Sequence, residues 1–275
     1  MGKKKLRRFL KSKEALAIPV TYLILFVSLM AIISVTYSFA IVRISARGIM
    51  LKVSVAKQNM QAVDDAVRLV AWSQGASSVV YMDDCGSIFQ ILPKAKSLII
   101  NFTDYQIFYD IVFNNSVGKA FYKLESSEFT YDSLFIRGDS RAIINQSSST
   151  MTQLYFSAGN DARELTLSYR PSATATLIGM NDGKPLNLIR IHIINLNSSQ
   201  NLMLTQKFYL KITAVSHTTI MQQYEFNQSI SSLALKTVFD GTSTNVWLPI
   251  SSNMDGAIVK LEIVVCNIKI QHAGV

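Results

Sequence analysis

The chain has 275 residues, a net charge of +9 and two cysteines. That length suits one membrane helix with one large domain or two small ones. The basic excess is not a nucleic-acid footprint. Lys3, Lys4, Lys5, Arg7, Arg8, Lys11 and Lys13 face only Glu14 in the first 14 residues, which leaves 20 basic against 17 acidic residues elsewhere.

Residues 1–14 carry a topology signal. Under the positive-inside rule this basic tail stays cytoplasmic and the C-terminal mass lies outside the membrane. Arg43 and Arg47, on the far flank, oppose it with fewer charges. Each basic residue near an anionic leaflet adds about 1 kcal/mol of attraction.

Residues 15–42, ALAIPVTYLILFVSLMAIISVTYSFAIV, carry no charge over 28 positions. As a helix they reach about 42 Å, against a hydrocarbon core of ~30 Å. One charged side chain at the centre costs about 2.5–3.5 kcal/mol, so the absence of any predicts a transmembrane helix rather than a buried core helix. Pro19 falls in the first turns, where a missing N–H costs least. Tyr22 and Tyr37 fall toward the ends, where amphipathic rings suit the interface. A cleaved secretory signal has an apolar region of about 7–15 residues. Here the run is longer and Ser38-Phe39-Ala40, with Arg43 close behind, is a poor cleavage site, so the reading is an uncleaved anchor.

Residues 43–75 continue the helix with one apolar stripe. Ile32, Val35, Phe39, Val42, Ala46, Ile49, Val53, Ala56, Met60, Val63, Val67 and Val70 step by alternating threes and fours, a heptad seam that crosses the membrane boundary in phase. Arg43, Arg47, Lys52, Lys57, Asp64, Asp65 and Arg68 lie off it. The stripe packs either on this chain's own domain, which the pattern alone favours, or on helices of other subunits.

After Gly75 the period changes from helical to short β-branched and aromatic runs. Strands are predicted over 78–81, 87–92, 97–102, 106–113, 120–124, 129–137, 151–156, 164–169, 173–179, 188–195, 207–216, 218–227, 245–249 and 257–270, with 233–239 open between strand and crossover. Turns are predicted at Asp84-Cys85-Gly86, Leu92-Pro93, Asn114-Asn115, Arg137-Gly138-Asp139, Asn181-Asp182-Gly183 and Asp240-Gly241. The fold class is therefore α+β: a long N-terminal helix, first transmembrane and then amphipathic, followed over 76–275 by an all-β, sandwich-like extracytoplasmic domain. A composition break at 171–185 permits two lobes.

Cys85 and Cys266 permit one disulfide in an oxidising compartment, or are two buried thiols. Asn101, Asn114, Asn145, Asn197 and Asn227 each begin an N-x-[ST] acceptor for glycosylation and so an expected surface site. Little chemistry is visible. No metalloprotease, nucleophile-elbow, dinucleotide or Walker motif occurs, and no catalytic, cofactor or metal residue is assigned. His192, His217 and His272 lie far apart, and His192 reads as a strand-surface residue. Asp64-Asp65 reads as solvated. Asp83-Asp84 and the loop from Asp240 to Asn245 read as polar turns, with Ca²⁺ binding as the alternative.

The basic tail, the apolar helix directly after it, its amphipathic continuation and the junction WSQGASSVVYMDDCGSIFQILP resemble type IV pilin-like proteins, archaeal ones above all, with a class III signal peptide. The resemblance covers the N-terminal third. It implies a prepilin peptidase cutting after Ser12 and before Lys13, and other pilin-like subunits as partners through the seam. Glu14 would be the second mature residue, where bacterial pilins carry Glu at the fifth, and the β domain is large for a major pilin. The expectation is a non-enzymatic subunit of a surface filament or secretion apparatus, without a cofactor. Its helix anchors and assembles, and its β domain displays or adheres. Two alternatives stand beside it: a single-span receptor or envelope protein that never polymerises, and an anchored hydrolase.

Overall fold

The computed structural model describes residues 3–104, 106–124, 134–145, 150–158 and 162–274, with side chains from residue 19 onward. Among the described residues there is one helix, α1, which runs Lys3–Val70 over 68 residues. Helical backbone starts ahead of the apolar run, so Pro19 lies inside α1 rather than in a first turn. Ser12 and Lys13 are helical in backbone, and their side chains lie outside the described residues. The chain divides into two compact units, Met1–Leu51 and Lys52–Val275.

In the first unit the apolar side chains from Val20 to Leu51 are open to their surroundings almost all round, and the span beginning at Pro19 is long and apolar enough to cross a membrane. Its hydroxyls bond inward: Ser28 Oγ donates to Leu25 O and Thr36 Oγ1 to Ile32 O, both at 2.8 Å. No polar group of these two side chains then needs an outside partner, as an apolar solvent requires. The Arg43 guanidinium lies 5.0 Å from the Phe39 ring centre, which shields the first charge after the run.

Among the described residues, the second unit is the remainder of α1 and thirteen strands. They are β1 (Ser77–Met82), β2 (Ile88–Thr103), β3 (Tyr109–Leu124), β4 (Phe135–Arg137), β5 (Thr152–Ala158), β6 (Arg163–Tyr169), β7 (Ser172–Asn181), β8 (Lys184–Asn195), β9 (Leu202–Leu204), β10 (Phe208–Phe226), β11 (Ser232–Phe239), β12 (Thr242–Pro249) and β13 (Ala257–His272). One sheet has the order β1-β10-β13-β8-β7. The other has β12-β11-β2-β3-β6-β5-β4, with β9 also paired to β2. Pairing between these strands is antiparallel except between β8 and β13, and an isolated parallel bridge joins Ile144 to Ser172.

Several predicted strands fuse. Pro93 sits where the β2–β3 register slips between Leu92 and Lys96, so a residue without an N–H is carried by a bulge and not by a turn. Asn114 and Asn115 pair with Ile99 and Leu98 in mid-strand. β10 passes its predicted break through a slip between Ala214 and Ser216. Residues 233–239 are strand, and β9 was not predicted. The predicted strand over 129–137 is seen from Phe135, and 129–133 lie outside the described residues. Two predicted turns are two-residue hairpins: Asp182-Gly183 and Asp240-Gly241 all have φ between 49° and 82°, the left-handed pair that matches strand twist.

A cluster of buried apolar side chains joins the two sheets. Ile189, Ile191 and Ile193 of β8 and Val259, Leu261 and Ile263 of β13 meet Leu98, Ile100 and Phe102 of β2 and Leu233 and Leu235 of β11. The strand period of two puts these on one face. The composition break at 171–185 falls within the compact unit Lys52–Val275. It is where the chain leaves one sheet at β6 and enters the other at β7, and Arg170 and Pro171 are both buried there.

Candidate functional site: the apolar helix surface and the seat of its C-terminal turns

The predicted seam has two fates. Ile32, Val35, Phe39 and Val42 are exposed and Ile49 is half-buried. Val53, Ala56, Met60, Val63, Val67 and Val70 are buried in this chain's own β domain. As an assembly seam, Val53, Met60, Val63, Val67 and Val70 are thus corrected: each has already spent its apolar surface, about 1.5–3 kcal/mol per Val- or Met-sized side chain, inside the subunit.

Polar anchors fix the register of this seated helix. The first is Asp64, read from the heptad as solvated and found with no exposed surface. Its carboxylate accepts from Thr152 Oγ1 at 2.6 Å, from the Tyr169 hydroxyl at 3.0 Å and from Arg137 Nη1. The same Arg137 nitrogen reaches Asp65 at 2.8 Å. Burial, then the Asp64 charge, pushes the Tyr169 hydroxyl well above its ordinary range, so it stays a donor.

Gly138 makes this corner possible. Its φ is +81°, and a Cβ there would lie 2.1 Å from Thr152 O. The residues on either side then carry opposite charges to different partners. Arg137 goes to the helix, and Asp139 pairs with Arg141 and with the buried Arg170. Arg170 also donates to the carbonyls of Thr150 and Arg141. Arg141 first, and Arg170 next, hold the Asp139 carboxyl well below the usual carboxylate range.

A second anchor is Asn59, whose Nδ2 donates to Asp83 O at 2.8 Å and to the Tyr122 hydroxyl at 3.0 Å. Asp83 N–H returns a bond to Asn59 Oδ1 at 3.2 Å. Asp83 and Asp84 otherwise serve the turn: Asp84 Oδ1 accepts from Gly86 N–H at 2.8 Å, and Lys207 Nζ lies 3.6 Å from Asp83. Among the described residues no three His, Cys, Asp or Glu side chains converge as a metal site.

The third anchor lies just past the end of α1. The Ala71 carbonyl accepts from the Cys266 thiol and from His217 Nε2 at 2.8 Å, and since a carbonyl only accepts, that nitrogen carries the proton. Trp72 meets His192 edge-on at 4.9 Å and stacks on His217 at 6.3 Å. His192 is half-buried packing, not an open surface residue. Burial, then Arg190, lowers its pKa, and it stays neutral at pH 7.

The Cys85–Cys266 disulfide is not formed. Both thiols are free and buried, Cys85 in the turn after β1 and Cys266 on the central strand β13, where its sulfur is directed at Ala71. Of the five glycosylation acceptors, Asn114, Asn145, Asn197 and Asn227 are exposed. Asn101 is buried on β2 with its Oδ1 unpartnered. A glycan has no path to it.

Comparison with known protein families, curated proteins and solved structures finds no match to this chain.

Proposed function

We propose that this chain is a non-enzymatic pilin-like subunit of an archaeal-type surface filament or secretion apparatus. The observation that carries the reading is the helical span beginning at Pro19, apolar, uncharged through Val42 and with none of its apolar window buried by the rest of the chain. Apolar area of that extent stays out of water only in lipid or against other helices. The basic tail then lies on the cytoplasmic side, and the β domain lies outside the membrane for display or adhesion. Assembly would exchange lipid for neighbouring helices along Ile32, Val35, Phe39, Val42 and Ile49, with a prepilin peptidase acting at Ser12-Lys13.

Mass spectrometry of the mature N-terminus is the test. A chain starting at Lys13 supports the reading. A mature chain starting at Met1, or purified filaments lacking this protein, overturns it.

A second reading is a single-span receptor that does not polymerise. It is favoured by a cleft of about 560 Å³ lined by Asp65, Arg68, Trp72, Thr150, Thr152 and Tyr169. An uncut N-terminus together with ligand binding that is lost in Trp72→Ala would select it.

A further inference from the structure

At the end of the β domain away from the seated helix, three side chains meet across one strand. Lys184 opens β8, Glu225 is the penultimate residue of β10, and Asn227 follows that strand. β13 lies between them, its Ile258 paired with Leu186 on one side and with Glu225 on the other. The Lys184 side chain is only 13% exposed. Its Nζ lies 2.7 Å from Glu225 Oε1 and 2.7 Å from Asn227 Oδ1. A carbonyl bond is about 1.23 Å, so Asn227 Cγ is no more than about 3.9 Å from the amine nitrogen.

The backbone holds this arrangement from both sides. Asn253 Nδ2 donates to Gly183 O at 2.7 Å, which fixes the hairpin turn just before Lys184. Gly256, at φ +105°, passes so close that a Cβ on it would meet Phe226 O at 1.8 Å, which fixes the peptide just before Asn227. A surface ion pair needs only the lysine and the glutamate. Here the ammonium also donates to the Asn227 side-chain oxygen, which keeps the amide carbon within reach of the amine and a carboxylate beside it to move protons, the three groups an acyl transfer needs.

We propose that Lys184 and Asn227 join through an intramolecular amide bond. The Glu225 carboxylate takes a proton from the Lys184 ammonium. The freed Nζ attacks Asn227 Cγ, and a Nζ–Cγ bond forms. Glu225 returns its proton to Nδ2, the Cγ–Nδ2 bond breaks, and nitrogen leaves as ammonia, which the second proton of the attacking amine converts to ammonium. One ammonium and one carboxamide thus become one secondary amide and one ammonium ion, with no redox change. The bond ties β8 to β10 over β13 and closes a loop between positions 43 apart in sequence. It also removes the atom that a glycan on Asn227 would need.

The test is intact-mass measurement of the full chain purified in detergent, followed by tandem mass spectrometry of its peptides. The expected result is a mass lower by one ammonia and a branched peptide linking Lys184 to Asn227. Glu225→Gln, at a 59% exposed site that does not threaten folding, should slow linkage on the order of 100-fold or more. Lys184→Arg should abolish linkage and lower the unfolding temperature. A wild-type chain of full mass with separate Lys184 and Asn227 peptides overturns the proposal. So does a glycan on Asn227, or a Glu225→Gln chain that links as fast as the wild type.

Discussion

The Tyr169 hydroxyl, on β6, donates at 3.0 Å to the carboxylate of Asp64, in the last turns of α1, and both side chains are fully buried. With Thr152 and Arg137 on the same carboxylate, three donors from the β domain converge on one helical residue. Apolar stripes can slide by a turn at little cost, whereas a buried carboxylate has one position in which all its partners are met. Asp64 sets how far along its axis the helix is seated.

Asp64→Ala should therefore destabilise the β domain by roughly 3 kcal/mol, because it leaves Arg137, Thr152 and Tyr169 without their acceptor. Tyr169→Phe, which removes one donor and keeps the ring, should cost about 1 kcal/mol. Denaturant unfolding followed by near-ultraviolet circular dichroism reads both. Equal effects for the two variants would contradict Asp64 as the common acceptor.

The two halves of the heptad seam should separate in the same assay. Met60→Ala empties a fully buried site and should cost about 2–5 kcal/mol. Ile32→Ala and Phe39→Ala, on the exposed part of α1, should leave domain unfolding within about 0.5 kcal/mol of wild type. Their effect belongs in membrane retention or filament yield.

Acid should act through Asp139. Arg141 and Arg170 hold its folded pKa below the ordinary 3.8, so the folded state binds fewer protons there than the unfolded one. The resulting stabilisation is complete above that ordinary value and drains away as pH falls toward the folded one. Asp139→Asn should be less stable than wild type at neutral pH, and the gap should close between about pH 5 and pH 2. Thermal melts of both proteins across that range measure it. A gap that stays constant would contradict the ion pair as its source.

Thiol titration tests the cysteines. Burial pushes the Cys266 thiol up to about 12 and raises that of Cys85 as well, so at neutral pH neither is the reactive thiolate. No fast-reacting thiol is expected in the folded chain, and two after unfolding without reductant. A bridged protein would show none in either state.

Much of this architecture was legible residue by residue. The uncharged stretch 15–42 marks the apolar helix because each position passes or fails by its own transfer cost. Asp182-Gly183 and Asp240-Gly241 mark hairpins because a left-handed pair of residues is a local demand. The misses share a cause. Pro93 and Asn114-Asn115 look like turns until a partner strand pays out a ladder through them. Asp64 looks solvated on a stripe one residue wide, yet it shares a face with Met60 and Val67, and the domain covers an arc broader than the seam.

What the order of residues settles unaided is whatever depends on neighbours a few positions away: where the chain is too oily for water, where a helix keeps one apolar face, where a strand reverses. What waited for three dimensions is every choice among partners distant along the chain. Val53 to Val70 meet their own domain, Asp64 meets Arg137, and the two cysteines stay apart, because burial and pairing are properties of which surfaces come together. Such meetings are decided by the summed free energy of the whole packed domain, and no local pattern encodes that sum.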